Sequence, residues 1–402
     1  MEVADLGPLM AYARGRVAEA WAERMAAMAA AFAPRAEVHD RDGTVAAESL
    51  ADLRAAGYPG LTAPREEGGE GAGLADLCLL QAILATGDAP TALGLGWHLS
   101  LLLGLRATGA WPEEARRRVF RAAVAEGALI NSCASERETG SPSRGGRPTT
   151  RAEPTAGGYR LSGRKTFATF SPVLRWFLVP ASLEDGTVGE FLVEAGTPGV
   201  RVEETWDTLG MRATASHDLV LEGATVDEDA LVERYRPPER SRRSADAGGP
   251  LLHVPACYLG IALAARRELV AFAWRHRPNS LPGPIAEVAA VEEQVGRMEM
   301  ALLPALAFLF DAAAAWDAAD AEGRAALRHR LAAAKVAGTE AAVAAVDIAM
   351  RVVGGLSLSR RLPFERFYRD VRAGLHNPPM GDMAVRALGR AVLAEGKPPV
   401  SP

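Results

Sequence analysis

Leu161-Ser-Gly-Arg-Lys-Thr-Phe-Ala-Thr169 is the stretch on which the reading of this chain turns. It continues the strand-like run Tyr159-Arg-Leu-Ser162, and three similar short runs follow: Trp176-Phe-Leu-Val-Pro180, Glu190-Phe-Leu-Val-Glu194 and His217-Asp-Leu-Val-Leu221. Gly and Pro clusters separate them, as in an all-β sandwich or barrel. Moving outward in either direction, the period changes to helical. On the N-terminal side, apolar residues recur at helical spacing over 10–32, 48–56 (stopped by Gly57) and 74–86, and Pro112-Glu113-Glu114 opens a further helix. On the C-terminal side, Ala/Leu-rich runs cover 251–274, 285–316, 324–353 and 383–393, four amphipathic segments that predict a helical bundle. The expectation is a mostly α chain with a central β domain: a helical domain over 1–127, a β-barrel or sandwich over 128–238, and a four-helix bundle over 239–402. The basic segment Arg234-Tyr-Arg-Pro-Pro-Glu-Arg-Ser-Arg-Arg243 is expected to be a solvated linker.

Composition narrows the class. Of 402 residues, 49% are hydrophobic and 24% charged, the balance of a globular chain able to bury a large core without staples. A net charge of -5 and a pI near 5.9 argue against a nucleic-acid partner. Cys78, Cys133 and Cys257 are odd in number and form no CxxC pair. That excludes a disulfide framework, gives no zinc site, and fits a reducing, cytoplasmic compartment. The N-terminus lacks the basic start of a targeting peptide, and the apolar run over 93–105 is too short to span a bilayer and is broken by His98 and Ser100, so no membrane partner is expected.

Motifs then fall in a distinctive order. Cys133-Ala-Ser-Glu-Arg-Glu-Thr-Gly-Ser141 opens the β region, and Leu161 to Thr169 follows. Next come Trp206-Asp-Thr-Leu-Gly-Met-Arg212 with Ser216-His217-Asp218, then Val353-Gly-Gly355 and Pro363-Phe-Glu-Arg-Phe-Tyr-Arg-Asp370. Together, from about Gly60 to the last helix, the chain resembles the acyl-CoA dehydrogenase superfamily.

The resemblance implies a bound flavin, FAD or alternatively FMN. Ser135 would face its pyrimidine edge, Thr169 would sit near N5, and Phe167 would flank the ring. It further implies that Ser141 touches the pantetheine or phosphate part of coenzyme A, with Gly140 permitting close backbone approach. The family's usual aspartate after this serine is Pro142 here. Gly354 and Gly355 would pack against the adenosine diphosphate half of a neighbouring subunit's FAD, which implies a homodimer or homotetramer. Arg351, where the family usually has Gln, would face that pyrophosphate. Arg275 lies near the family's other pyrophosphate-binding arginine, although the segment after it lacks the family's Thr-Phe-Gly. Arg369-Asp370 reads as a structural ion pair.

Chemistry is less settled. The family's main reaction removes a Cα proton from an acyl thioester, on coenzyme A or a carrier protein, while a hydride passes from Cβ to flavin N5; electron-transfer flavoprotein or oxygen is the oxidant. The proton needs a carboxylate base. Eight residues after Asp370, where the family usually places it, stands Pro378, and the alternative location, Gly249-Pro-Leu-Leu-His253, holds no carboxylate either. The first reading is a dehydrogenase whose base has moved to Asp382 or His376. The alternative is a flavin-dependent monooxygenase of the same superfamily acting on a small molecule. His376-Asn377-Pro378 resembles the His-Asp-Pro run of the sulfur-compound branch of those oxygenases. His98 is a candidate to face the substrate from the helical domain.

Overall fold

The computed structural model describes residues 7–139, 146–237, 239–246 and 248–396. Six helices come first: α1 (Gly7–Met10), α2 (Arg16–Asp42), α3 (Ala47–Ala55), α4 (Leu74–Ala85), α5 (Ala89–Thr108) and α6 (Glu113–Glu126). Their ends follow local chemistry. Asp88 caps α5 by accepting from Thr91 N and Thr91 Oγ1 at 3.0 and 2.6 Å, and Gly109 closes it in the left-handed conformation.

The middle of the chain forms one eight-stranded sheet. Its strands are β1 (Ile130–Ser132), β2 (Arg151–Thr155), β3 (Gly158–Lys165), β4 (Trp176–Ser182), β5 (Val188–Glu194), β6 (Val200–Glu203), β7 (Asp218–Asp227) and β8 (Leu231–Tyr235). The order is β6-β7-β3-β2-β4-β5-β8, with β1 parallel to β4. A bulge at Leu161/Ser162 interrupts the β3–β7 ladder. Beneath the start of β2 lies a buried charge pair: Lys165 Nζ donates to Glu136 Oε1 and to the Pro180 carbonyl, each at 2.6 Å.

The last segment holds α7 (His253–Arg275), α8 (Ala289–Ala318), α9 (Ala321–Ala326), α10 (Arg328–Val353), α11 (Phe364–Val371) and α12 (Gly381–Glu395). The long helices α7, α8 and α10 pack on one another, α12 lies on α10, and α7 also packs along α4. Two stretches, Ala289–Ala318 and Arg328–Leu358, are long and apolar enough to cross a membrane by length and composition; here they pack on each other and on α7, each with less than half of its apolar window buried. One core cluster runs through all three segments, and a second joins α5 and α6 to β1, β4 and β5.

Two expectations need correction. The basic segment is solvent-exposed along most of its described residues, as expected, but both of its ends are docked. Arg234 lies in β8 and reaches Asp185 at 2.5 Å, while Ser241 and Arg243 engage the buried carboxylates of Glu233 and Glu190 at 2.7 and 3.2 Å. The acids these side chains meet are Asp185 in the β4–β5 turn, Glu190 on β5 and Glu233 on β8 itself. Arg369 and Asp370 are not an ion pair with each other. Arg369 forks onto Asp40 of α2 at 2.9 and 2.6 Å, whereas Asp370 Oδ1 accepts from Met211 N at 2.5 Å. These bonds latch the helical, sheet and bundle segments together at one point.

Candidate active site

The turn after β3 is built to present an aromatic ring. Phe167 and Phe170 both have positive φ, at 56° and 63°, a conformation bulky residues avoid unless surroundings impose it. Here three backbone bonds do so: Ala168 N to His217 O, Thr169 N to Phe167 O and Phe170 N to Thr214 O, at 2.9–3.1 Å. Phe170 points inward against α5, where a Cβ on Gly94 would lie 2.3 Å from its ring. Phe167 points out, with 64% of its surface exposed, and meets Trp206 edge-on at 5.6 Å.

Ser135 lies beside this turn. Its carbonyl accepts from Thr166 N at 2.8 Å, an isolated bridge that joins the segment after β1 to the end of β3. Ser135, Phe167 and Thr169 are therefore brought together on one turn. Thr169 is held from both ends, since Asn131 Nδ2 donates to its carbonyl at 3.1 Å and its hydroxyl lies 2.9 Å from Ser216 Oγ. His217 orients the Trp206 side of the site: its Nδ1 accepts from Thr205 N and Trp206 N, both at 3.1 Å. Burial lowers its pKa, with Glu204 and Asp218 opposing, which suits a neutral ring that accepts at Nδ1.

The other sequence-derived candidates divide. His98 is a correction. It is buried, its Nε2 donates to Pro59 O at 2.9 Å, and its Nδ1 accepts from Ile130 N at 3.1 Å. Burial holds its pKa down at about 4. With both nitrogens spent on backbone it ties α5 to β1 and has nothing left for a substrate. Ser141, with Gly140 and Pro142, lies outside the described residues. Arg351, Gly354 and Gly355 close α10 on an exposed face, and a Cβ on either glycine would touch nothing within 4 Å. Arg275 ends α7, also exposed.

His376 and Asp382 are both exposed, the first in the loop after α11 and the second in the first turn of α12. Two residues not singled out by sequence anchor that loop. Tyr258 OH donates to Asn377 Oδ1 at 2.6 Å, and the buried Lys335 ammonium donates to Gly374 O at 2.9 Å. A lone lysine in Ala332-Ala-Ala-Lys335-Val336 was the available signal. From Val371 to Gly381 the loop contains no carboxylate. At the start of α7, His253 is fully buried with neither ring nitrogen bonded, and burial drives its pKa down to about 3.

The residues fit a flavin ring: the exposed Phe167 ring backed by the half-buried Trp206, with Ser135 and Thr169 close by on the same turn region. Comparison with known proteins agrees with this architecture. Residues 18–127, 131–224 and 252–375 match, respectively, the acyl-CoA dehydrogenase N-terminal, middle and C-terminal domains. The putative acyl-CoA dehydrogenase YdbM of Bacillus subtilis is 48% identical over 92% of this chain and 95% of its own. The L-evernosamine nitrososynthase of a Micromonospora species is 33% identical over 84% of this chain and 82% of its own. Among solved structures, KijD3 in complex with FMN and a dTDP-amino-keto sugar superposes with a TM-score of 0.84, at 30% identity and covering 95% of both chains. The chain belongs to the acyl-CoA dehydrogenase family of flavin-dependent oxidoreductases.

Proposed function

We propose that this member of the family is a flavin-dependent monooxygenase that oxidises a nucleophilic nitrogen or sulfur of a small molecule, rather than a dehydrogenase of acyl thioesters. The observation that carries the proposal is the absence of a carboxylate at either position where the family's base is expected. No carboxylate occurs from Val371 to Gly381 or from Gly249 to His253. Asp370, just upstream, is buried and committed to Met211 N. Asp382 is exposed on the first turn of α12, outside that loop. A site that does not abstract an α-proton needs none of these. The 33% identity to an L-evernosamine nitrososynthase points the same way, whereas the 48% identity to the Bacillus subtilis relative favours the dehydrogenase reading.

When bound, a reduced flavin would supply two electrons to dioxygen, one oxygen atom passing to the substrate and the other leaving as water. FAD and FMN both fit this role. The chain's own residues would hold the ring: Ser135 at the pyrimidine edge, Phe167 and Trp206 beside the ring, Thr169 near N5. Arg275, Arg351, Gly354 and Gly355 would complete a neighbouring subunit's flavin site in a homodimer or homotetramer. Their exposure, beside the exposed apolar side chains of Leu356 and Leu358, supports that arrangement.

The reading is tested by supplying chemically reduced flavin, labelled heavy dioxygen and a panel of primary amines and thioethers. Label in an N- or S-oxidised product supports it. Oxygen consumed only to hydrogen peroxide with every compound, together with flavin reduction by an acyl thioester, would return the dehydrogenase reading, in which electron-transfer flavoprotein is the natural oxidant.

A further inference from the structure

The hydroxyls of Thr169, Ser216 and Thr214 form a chain whose direction is set from one end. Thr214 Oγ1 lies 2.8 Å from Met211 O, to which it can only donate; the same carbonyl also accepts from Trp206 Nε1 and Thr214 N, each at 3.1 Å. With that proton spent, Thr214 can meet Ser216 Oγ, 2.8 Å away, only as an acceptor. The one Ser216 proton therefore points to Thr214. Across the remaining 2.9 Å contact, Thr169 must be the donor and Ser216 the acceptor. All three hydroxyls are buried, so bulk water does not compete to turn them. With its proton committed inward, the Thr169 hydroxyl can offer any further partner only an oxygen lone pair.

We infer that Thr169 meets the flavin as a hydrogen-bond acceptor, with Ser216 and Thr214 as positioning residues, so that the site favours the reduced ring. This rests on the flavin reading above. The reduced ring carries a proton on N5 that an acceptor can bind; the oxidised ring offers only a lone pair there. For Thr169 to donate outward, Ser216 would have to turn its proton onto Thr169 and face Thr214 oxygen to oxygen across 2.8 Å with no proton between. That defect opposes reversal of the chain. The consequence is a raised midpoint potential for the bound flavin. A tenfold preference for the reduced ring corresponds to about 30 mV for a two-electron couple. An oxygen-using site gains from such a bias, because it must hold the reduced ring until oxygen arrives.

The test is a dye-referenced reductive titration of flavin-loaded native protein and three variants. Ser216→Ala removes the internal acceptor and frees the Thr169 proton for oxidised N5, so the potential should fall by about 30 mV, roughly tenfold in the ratio of affinities. Thr214→Val leaves Ser216 free to donate to Thr169 and should lower the potential in the same sense. Ser216→Thr keeps the hydroxyl and should keep the native potential. A merely structural role for these hydroxyls would change thermal stability without moving the potential in this order. Potentials that stay level, or rise in Ser216→Ala and Thr214→Val, overturn the inference. If Ser216→Ala does not fold, Thr214→Val decides alone. Native protein that takes up neither FAD nor FMN overturns the inference together with the flavin reading, whereas loaded protein with unmoved potentials overturns the inference alone.

Discussion

At the scale of single residues, the Glu136–Lys165 pair ties the segment after β1 to β3. Both side chains are fully buried, and Glu136 also accepts from the backbone and hydroxyls of Thr149 and Thr150 at 2.6–3.0 Å. Burial works to raise the Glu136 pKa, but the bonds from Lys165, Thr149 and Thr150 outweigh it and hold it at about 2. Since the folded value lies below the ordinary 4.5, the pair's contribution is complete above pH 4.5 and is lost as pH falls toward 2. Lys165→Met leaves the carboxylate buried without its counter-charge. It should cost roughly 3–5 kcal/mol in urea unfolding at neutral pH. A loss under about 1 kcal/mol would mean that the threonines alone satisfy Glu136.

At the scale of elements, the latch between α2, the loop before β7 and α11 sets how the domains sit around the site. Asp370 is buried, and burial, with Asp40 adding to it, raises its pKa to about 7 against the opposing bond from Met211 N. The folded chain therefore binds a proton between the ordinary 3.8 and about 7 that the unfolded chain does not. Stability should fall as pH rises through that window. Asp370→Asn keeps the acceptor for Met211 N and should flatten this slope in melting temperatures taken from pH 4 to pH 7, a change that an unaltered slope would disprove. Much at this scale was legible in the sequence. The long helices and four of the strands follow from periodicity. Helix α5 escaped because it is apolar on nearly every side, so no stripe marks it, although Asp88, Pro90 and Gly109 were its start and stop signals. The docking of 241–243 was hidden because its partners, Glu190 and Glu233, lie on β5 and β8. For the site, the turn carrying Phe167 and Thr169 was recognisable by motif. His98 was misread because a histidine's backbone partners, here 39 and 32 residues away, leave no trace in its own segment.

At the scale of the whole molecule, apolar side chains remain uncovered along the bundle: Met300 and Leu303 on α8, Leu356 and Leu358 after α10, and Val392 and Leu393 on α12. With the exposed Gly354-Gly355 turn beside them, these faces fit self-association. Sedimentation should show a dimer or tetramer. Gly354→Asp should weaken flavin binding, by like-charge repulsion across the interface and by a side chain placed at φ 68°. A native monomer with full flavin affinity would exclude a site shared between subunits.

The missing base is the centre of the account, and anaerobic stopped flow tests it most directly. Flavin-loaded protein is mixed with butyryl-CoA or octanoyl-CoA in the absence of oxygen, and the flavin's visible band is followed. In the native protein the band should persist with both thioesters. Rapid bleaching, slowed by ~100-fold or more in Asp382→Asn, the low end for general-base catalysis, would contradict it and make Asp382 the base of a dehydrogenase.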